Sequence, residues 1–242
     1  MRMKKSIYTT ALLLAASLIF SSYRSSDDDS VAGTPTGIGS PTAVTDPGVL
    51  IGEIDGVPIR WATRNVDYPG TFAAAPESAG RLFQWGTLDG VVHYWDNTTS
   101  GAIEDGFDTS WYPSRVAWTV ADDPCPAGWR VPTFAELLAF LNATTSEWTN
   151  RNGVPGRYFG TAANRIFLPA AGWRNGAPYL PAFGSTNRPG TLGDVGTIGF
   201  YWTNTLSDRN LPMRLIFDSG CIGIRSHGGR NVDGYSVRCV AE

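Results

Sequence analysis

The residue best suited to chemistry is Cys221, which lies four residues before Arg225 and six before His227. A catalytic cysteine needs a neighbouring base or positive field to lower the pKa of its thiol. The histidine and the arginine have the right chemistry for this, so a cysteine-dependent enzyme is one hypothesis. The pattern lacks a third residue that would orient the histidine, so an exposed, odd thiol is the preferred interpretation.

Other patterns that catalysis or metal binding would require are missing from the sequence. There is no glycine-rich phosphate loop ending in Lys-Ser/Thr, no Gly-x-Ser-x-Gly and no His-Glu-x-x-His. The two histidines, His93 and His227, have no acidic residues at metal-ligand spacing. Asp123 follows Asp122, and we expect it to cap the turn at Pro124. We therefore expect no catalytic residue, no metal ion and no cofactor.

The segment 204–233 mixes apolar, charged and amide residues and is the candidate binding surface. If the segment forms strands, Leu215 and Phe217 face inward, and Arg214 and Ile216 face outward. Exposed isoleucines beside arginine and histidine suit the recognition of a partner, whereas an ordinary solvated sheet face is the alternative. The candidate ligand-binding residues are Leu206, Asp208, Arg209, Asn210, Arg214, Ile216, Cys221, Ile222, Ile224, Arg225, His227 and Asn231.

The elements that position this segment are indicated by apolar periodicity. Thr133 and Glu136 have the spacing of a capping box at the start of a helix. One apolar stripe follows it, formed by Phe134, Leu137, Leu138 and Leu141. Apolar runs bounded by Gly or Pro predict strands, the main ones over 49–61, 81–86, 165–169, 200–203, 213–217, 221–225 and 235–240. A helix followed by a meander of strands predicts the α+β class.

The N-terminal residues predict export. Arg2, Lys4 and Lys5 precede an apolar run of ten residues, 11–20, and two small serines, which is typical of a signal peptide over residues 1–22. A run of ten residues is too short to span a bilayer. Residues 23–47 are rich in Ser, Asp, Gly and Pro, so we expect a flexible tether there and one domain over 48–242.

Charge and cysteine content limit which classes of partner and which cellular compartment we expect. The formal net charge is −3 and no basic stripe is present, so we expect no nucleic-acid partner. Export implies an oxidising compartment, in which disulfides persist. The three cysteines, Cys125, Cys221 and Cys239, then leave one thiol free or paired between molecules.

Several motifs together resemble one known family. They are WATRNV at 61–66 with GRLFQWG at 80–86, DPCPAGWRVPT at 123–133, IFLPAAGW at 166–173, and GFYWT at 199–203 followed by GYSVRCV at 234–240. In this order they resemble the Fibrobacter succinogenes major paralogous domain of exported Bacteroidetes proteins, over about residues 49–242. The resemblance implies a C-type-lectin-like domain with short antiparallel strands, one or two helices and long loops.

The resemblance also implies how the domain is held together. In that fold the segment before the helix meets the last strand, which implies a disulfide between Cys125 and Cys239 and leaves Cys221 free. We expect Trp129 and Trp202 to be core residues. Arg130 and Arg238 flank the junction, and we expect them to bind backbone carbonyls or a carboxylate.

The expected function follows from these resemblances. The N-terminus is similar to that of a Bacteroidetes surface lipoprotein, with Tyr23 at the position of the acylated cysteine. Residues 204–233 resemble the variable region of diversity-generating retroelement proteins. We expect an adhesin-like binding module on the outer-membrane surface or outside the cell, with a protein or glycan ligand and membrane association only through the N-terminus. The alternatives are a cysteine- or metal-dependent enzyme with a fold like that of the formylglycine-generating enzyme, and a structural envelope protein.

Overall fold

The computed structural model describes residues 45–88, 90–96, 115–176, 190–226 and 232–242. The predicted signal peptide and residues 23–44 of the predicted tether lie outside these ranges. Within them the chain forms one helix, α1 (Phe134–Asn142), and fourteen short strands. The strands are β1 (Val49–Ile54), β2 (Val57–Trp61), β3 (Leu82–Leu88), β4 (Val91–Trp95), β5 (Trp129–Arg130), β6 (Ser146–Arg151), β7 (Val154–Gly160), β8 (Arg165–Pro169), β9 (Trp173–Arg174), β10 (Leu192–Gly193), β11 (Gly199–Leu206), β12 (Pro212–Phe217), β13 (Ile222–Ser226) and β14 (Val240–Ala241).

The described chain is mainly β, which corrects the expected fold class. Of the described residues, 46% are strand and 6% are helix. The strands pair antiparallel in small sheets, ordered β1-β2-β14-β5, β11-β12-β13, β6-β7-β8, β3-β4 and β10-β9. The expected α+β class, and the C-type-lectin-like domain expected with it, is therefore wrong. Frequent Gly and Pro end most apolar runs after a few residues, which favours short strands joined by turns over further helices.

Helix α1 begins with the predicted capping box. The Glu136 N–H donates to the Thr133 hydroxyl at 3.3 Å, and the Thr133 N–H donates to the Glu136 carboxylate at 2.8 Å. The apolar stripe is partly wrong, because Leu137 and Phe140 are buried whereas Leu138 is 42% exposed. Within the described residues, no helix has the length and apolar character needed to cross a membrane.

The C-terminal strand closes the molecule. Val240 of β14 pairs with Trp61 of β2 on one side and with Arg130 of β5 on the other. Just before it, Cys239 forms the predicted disulfide with Cys125, 114 residues earlier, and the two Cα atoms are 6.1 Å apart. The disulfide therefore connects the end of the chain with the segment that precedes α1.

The turn that carries Cys125 is held by a buried carboxylate. Asp123 accepts hydrogen bonds from the Cys125 N–H at 2.8 Å and from the Val131 N–H at 2.9 Å, so its predicted capping role is confirmed. Burial raises the pKa of Asp123, and these backbone hydrogen bonds oppose that shift.

Two apolar clusters pack on opposite faces of the sheet β11-β12-β13. Phe200 and Trp202 of β11 belong to one cluster, with Tyr235. Tyr201 of the same strand belongs to the other, with Phe217 of β12. Successive residues of a strand point to opposite faces, so this sheet separates the two cores. Trp202 is buried as predicted.

A fully buried arginine ties the two cores to the chain end. Arg238 donates to the Asn65 side-chain oxygen at 2.7 and 2.9 Å and to the carbonyls of Ala62 and Phe167. Its predicted role in binding backbone carbonyls is confirmed. Burial raises the pKa of the neighbouring Tyr201 to about 12, because the ionised phenol would lose its hydration.

Candidate ligand-binding site

The predicted site residues lie mostly on β12, on β13 and in the turns at their ends. In this sheet Trp202, Arg214 and Arg225 occupy one cross-strand row, and Phe200, Ile216 and Gly223 occupy the next. Rows separated by two residues share a face, so these six side-chain positions lie on the same side of the sheet. We call this side the arginine face.

Arg214 lies over aromatic rings on the arginine face. Its guanidinium carbon is 5.1 Å from the centroid of the Tyr235 ring and 5.5 Å from that of Phe200. These two rings stack on each other at 4.9 Å and are both buried. The rings attract the cation through their negative faces and fix the side chain in place.

Two nitrogens of Arg214 are buried without a partner. Nε and Nη1 have no hydrogen bond to any described residue. A half-buried guanidinium with unused donors is costly unless another group compensates it. Arg214 is therefore the strongest single candidate for a ligand contact.

Arg225 adds a second positive charge beside Arg214. The two residues are direct cross-strand partners on β12 and β13, and Arg225 is exposed. Its Nε would be 3.9 Å from a Cβ atom at Gly223, so the side chain extends along the arginine face over this glycine. Neither guanidinium forms an ion pair with a carboxylate among the described residues. Like charges directly opposite each other repel, so the pair favours an anionic partner.

The predicted isoleucines do not form one patch. Ile216 is on the arginine face but is half-buried against the core cluster of Trp202, so its expected exposure is wrong. Ile222 and Ile224 pair with Phe217 and Leu215 and therefore lie on the opposite face. Ile222 is 38% exposed there, and Ile224 packs partly against the second core cluster.

The remaining predicted residues lie at the two ends of the sheet. The turn between β11 and β12 carries exposed Asp208, Arg209 and Asn210, next to Leu206, which is 37% exposed. We call residues 206–210 the upper turn. Cys221 lies in the turn between β12 and β13, at the other end. The six residues of β12 separate these turns by about 20 Å, at roughly 3.3 Å per residue.

The turn that carries Cys221 is tightly braced. The Asp218 carboxylate accepts hydrogen bonds from the N–H groups of Gly220 and Cys221, both at 2.7 Å, and these bonds lower its pKa. Arg157 of β7 donates to the carbonyls of Asp218 and Ser219 at 2.8 and 3.0 Å. The thiol itself is free and exposed.

Two predicted site residues, His227 and Asn231, lie outside the described residues. The other histidine, His93, is half-buried on β4. Among the residues that the structure describes, no group of three His, Cys, Asp or Glu side chains could hold a metal ion. A groove of about 580 Å³ lies between β1, β2, α1 and the chain end, and none of the predicted site residues lines it.

Sequence reasoning missed two contributors to the site. Tyr235 was read only as part of a terminal strand, although its ring supports Arg214. Arg157 was not singled out, although it holds the Cys221 turn. A charged residue inside the otherwise apolar or small run of β7, Val-Pro-Gly-Arg-Tyr-Phe-Gly, is a usable signal for a buried, bonded arginine.

No family model, no curated protein and no solved structure matches the chain. The resemblance to the Fibrobacter paralogous domain therefore stays a prediction from the sequence motifs.

Proposed function

We propose that this chain is an exported ligand-binding module that recognises its partner through the arginine face and the adjoining upper turn. The observation that carries the proposal is the pair Arg214 and Arg225, two neighbouring guanidinium groups with no carboxylate partner among the described residues. Arginine is enriched in interface hot spots, and here Arg214 is held on aromatic rings while Arg225 is exposed beside it. The proposed site is smaller than the sequence prediction, because Cys221, Ile222 and Ile224 are at the far turn or on the other face.

Rigidity of the support favours binding over a purely structural role. Arg214 is held by two stacked rings whose neighbours are buried in the core. A side chain that is fixed before the ligand arrives loses little conformational entropy on binding. A structural envelope protein has no need to hold an unpaired charge in this way, since an apolar residue would pack there at lower cost.

Export is supported by two independent features. The signal-like residues 1–22 predict secretion, and a disulfide such as Cys125–Cys239 persists in oxidising compartments. On this basis the proposed location is the outer surface of the cell or the extracellular medium. Diversification of residues 204–233 by a retroelement is a further hypothesis, which a matching template repeat beside a reverse transcriptase gene would support.

A binding array tests the proposal. The secreted chain is applied to glycan and protein arrays, and its ligands are compared with those of Arg225→Ala and Arg214→Met. Methionine keeps much of the packing of residue 214 on the rings while removing the charge. We expect each substitution to weaken binding about tenfold or more, as for a hot-spot residue.

Two variants serve as controls for this array. Arg165→Ala removes an exposed arginine from β8, where it lies over the ring of Tyr158, and should leave binding unchanged. Cys221→Ser should also leave binding unchanged, whereas a thiol-dependent activity would be lost with it. Equal binding by Arg225→Ala and the unaltered chain would remove the basis of the proposal.

A further inference from the structure

The hydrogen-bond pattern of β11 determines which way each strand of the sheet directs its backbone groups. The Trp202 N–H donates to the Ser236 carbonyl at 3.0 Å, and the Ser236 N–H donates to the Phe200 carbonyl at 3.1 Å. The backbone groups of Phe200 and Trp202 thus point away from β12. Tyr201, between them, must point toward β12 and bond to its partner Leu215.

The same alternation continues into β13. Because Leu215 bonds to β11, Arg214 and Ile216 bond to the other neighbour, through Arg225 and Gly223 of β13. The remaining residues of β13 direct their N–H and C=O groups away from the sheet, and these are Ile222, Ile224 and Ser226.

The turn before β13 gives the same result. The Asp218 N–H donates to the Cys221 carbonyl at 3.0 Å, which makes these two residues a bonded pair of the hairpin. Because the bonding direction alternates along a strand, the next residue, Ile222, directs its N–H and C=O groups outward. β13 is the last strand of its sheet, and no described residue bonds to the outward groups of Ile222, Ile224 or Ser226. An unpaired row of this kind is a template for another strand.

The charge on this edge indicates what kind of strand it would accept. Arg225 lies on β13 between two residues with outward backbone groups, and Arg214 is beside it on β12. An antiparallel strand added outside β13 would place one residue directly opposite Arg225, on the arginine face. Because Arg225 bonds inward, that new pair would be of the non-hydrogen-bonded type, in which the side chains approach most closely.

We propose that β13 is the docking edge for an extended peptide segment of a partner protein, which pairs with Ile222, Ile224 and Ser226 and places an acidic side chain against Arg225 and Arg214. This inference rests on the proposed ligand-binding function and names the class of its ligand. The outward N–H and C=O groups repeat every second residue, as the backbone of a peptide strand does, and they supply affinity for any extended sequence. The two arginines supply the preference for a carboxylate.

The opposite face of the added strand should be apolar. Its residues facing Ile222 and Ile224 would lie on the side of Phe217 and the half-buried Trp148. The docked segment should therefore alternate apolar residues with polar ones, and the polar residue opposite Arg225 should be Glu or Asp.

Blocked nonapeptides test this inference on the full secreted chain. The first has the sequence Thr-Val-Glu-Val-Glu-Val-Glu-Val-Thr, and two counterparts carry Gln or Lys in place of Glu. We expect the Glu peptide to bind about tenfold or more tightly than the Gln peptide and the Lys peptide to be weakest. Hydrogen exchange followed by NMR should show slower exchange of the Ile222 and Ile224 amides when the Glu peptide is present, because these N–H groups become bonded.

Substitutions on the edge separate strand docking from loss of folding. Arg225→Glu places a carboxylate directly opposite Arg214 and should abolish the preference for the Glu peptide over the Lys peptide, while an NMR spectrum that is unchanged outside β13 shows that the variant is folded. Ile222→Pro removes one outward donor and should abolish binding, whereas Ile222→Thr keeps the donor and should retain it.

Two results would overturn the inference. One is equal binding of the Glu and Gln peptides; the other is peptide binding without slower exchange at Ile222 and Ile224. One mixed outcome separates the two proposals. If the array ligands are acidic saccharides whose binding depends on Arg225, and the peptides do not change hydrogen exchange at Ile222 and Ile224, the docking edge is wrong. The proposed ligand-binding function then stands. If Arg225→Ala affects no array ligand and no peptide, both are wrong.

Discussion

Two arginines near the C-terminus, Arg238 and Arg214, differ in whether their N–H donors are bonded. Arg238 is 2% exposed, and its donors are taken up by Asn65 and by backbone carbonyls. Arg214 is half-buried on the rings of Phe200 and Tyr235, with Nε and Nη1 unused. The first arrangement satisfies a buried cation and is structural, whereas the second leaves the charge of Arg214 without an ion-pair partner among the described residues.

A third charged residue allows a test by pH. Glu136 receives two hydrogen bonds from Arg130, at 2.9 and 2.5 Å, in addition to those from Thr133. Burial alone would raise the pKa of Glu136, but these bonds outweigh it and the pKa is lowered. The stabilisation is therefore present above the ordinary pKa of 4.5 and is lost as pH falls through the lowered value.

We expect Glu136→Gln to lower the free energy of unfolding by about 1–2 kcal/mol at pH 7, because the neutral amide loses the ion pair with Arg130 and is a weaker acceptor for the Thr133 N–H. The difference from the unaltered chain should shrink as pH falls below the ordinary pKa of 4.5 and through the lowered pKa of Glu136, because the native carboxylate then also becomes protonated. Urea denaturation between pH 3 and pH 7 measures both effects. Glu147→Gln, at an exposed position of β6, should show neither. A loss that is as large at pH 3 as at pH 7 would contradict the role of the charge.

At the level of secondary-structure elements, the alternation of apolar and polar residues predicted the strands. It did not predict which face of each strand is exposed to solvent. The runs at 200–203, 213–217 and 221–225 predicted β11, β12 and β13 because a strand needs only a few apolar residues at alternate positions. The same alternation predicted that Ile216 is exposed, yet the segment with Tyr235 packs beside β11 and covers part of that face. This contact joins residues distant in sequence, so no local pattern reveals it.

The turn between β12 and β13 depends on a neighbouring sheet. Arg157 is buried on β7, and it donates to Asp218, Ser219 and the Ser146 hydroxyl. The guanidinium satisfies carbonyls that the turn leaves without a backbone donor, so it fixes the point at which β13 begins. The position of the proposed docking edge therefore depends on a residue about 60 positions earlier in the chain.

We expect Arg157→Met to lower the free energy of unfolding by about 2–3 kcal/mol, because it removes the charged hydrogen bonds that a buried guanidinium donates to Asp218, Ser219 and Ser146. The amides of Gly220 and Cys221 should also exchange faster, since the turn loses its brace. Denaturant titration and hydrogen exchange by NMR measure the two effects. Arg165→Met, on the next strand at an exposed position, is the matched control and should change neither. Unchanged hydrogen exchange at Gly220 and Cys221 would show that the turn is stable without Arg157.

Across the whole molecule, the long-range link between Cys125 and Cys239 was easier to predict than the fold class. The disulfide prediction is confirmed: the family resemblance implies that the segment before the helix meets the last strand, and Cys125 and Cys239 are bonded there. The α+β prediction is wrong because it weighed one clear helix against strands too short to be conspicuous. A strand of two residues, such as β5 or β14, has no sequence signal of its own and exists only through its neighbours.

The disulfide is important for stability because the C-terminal strand is short. β14 has two residues, so its pairing with β2 and β5 is a weak closure for a chain of this length. In the chain-entropy description, a link across 114 residues lowers the entropy of the unfolded chain and contributes about 4–5 kcal/mol. We expect the double variant Cys125→Ala/Cys239→Ala to lose about this much in urea denaturation, while Cys221→Ser keeps the full stability because its thiol is exposed and unbonded.

Alkylation without reductant, followed by intact-mass measurement, tests the bond itself. One modified cysteine per chain is expected, and it should disappear in Cys221→Ser. Three modified cysteines, or a double variant as stable as the unaltered chain, would mean that the short C-terminal strand and the buried Arg238 network close the molecule without a covalent link.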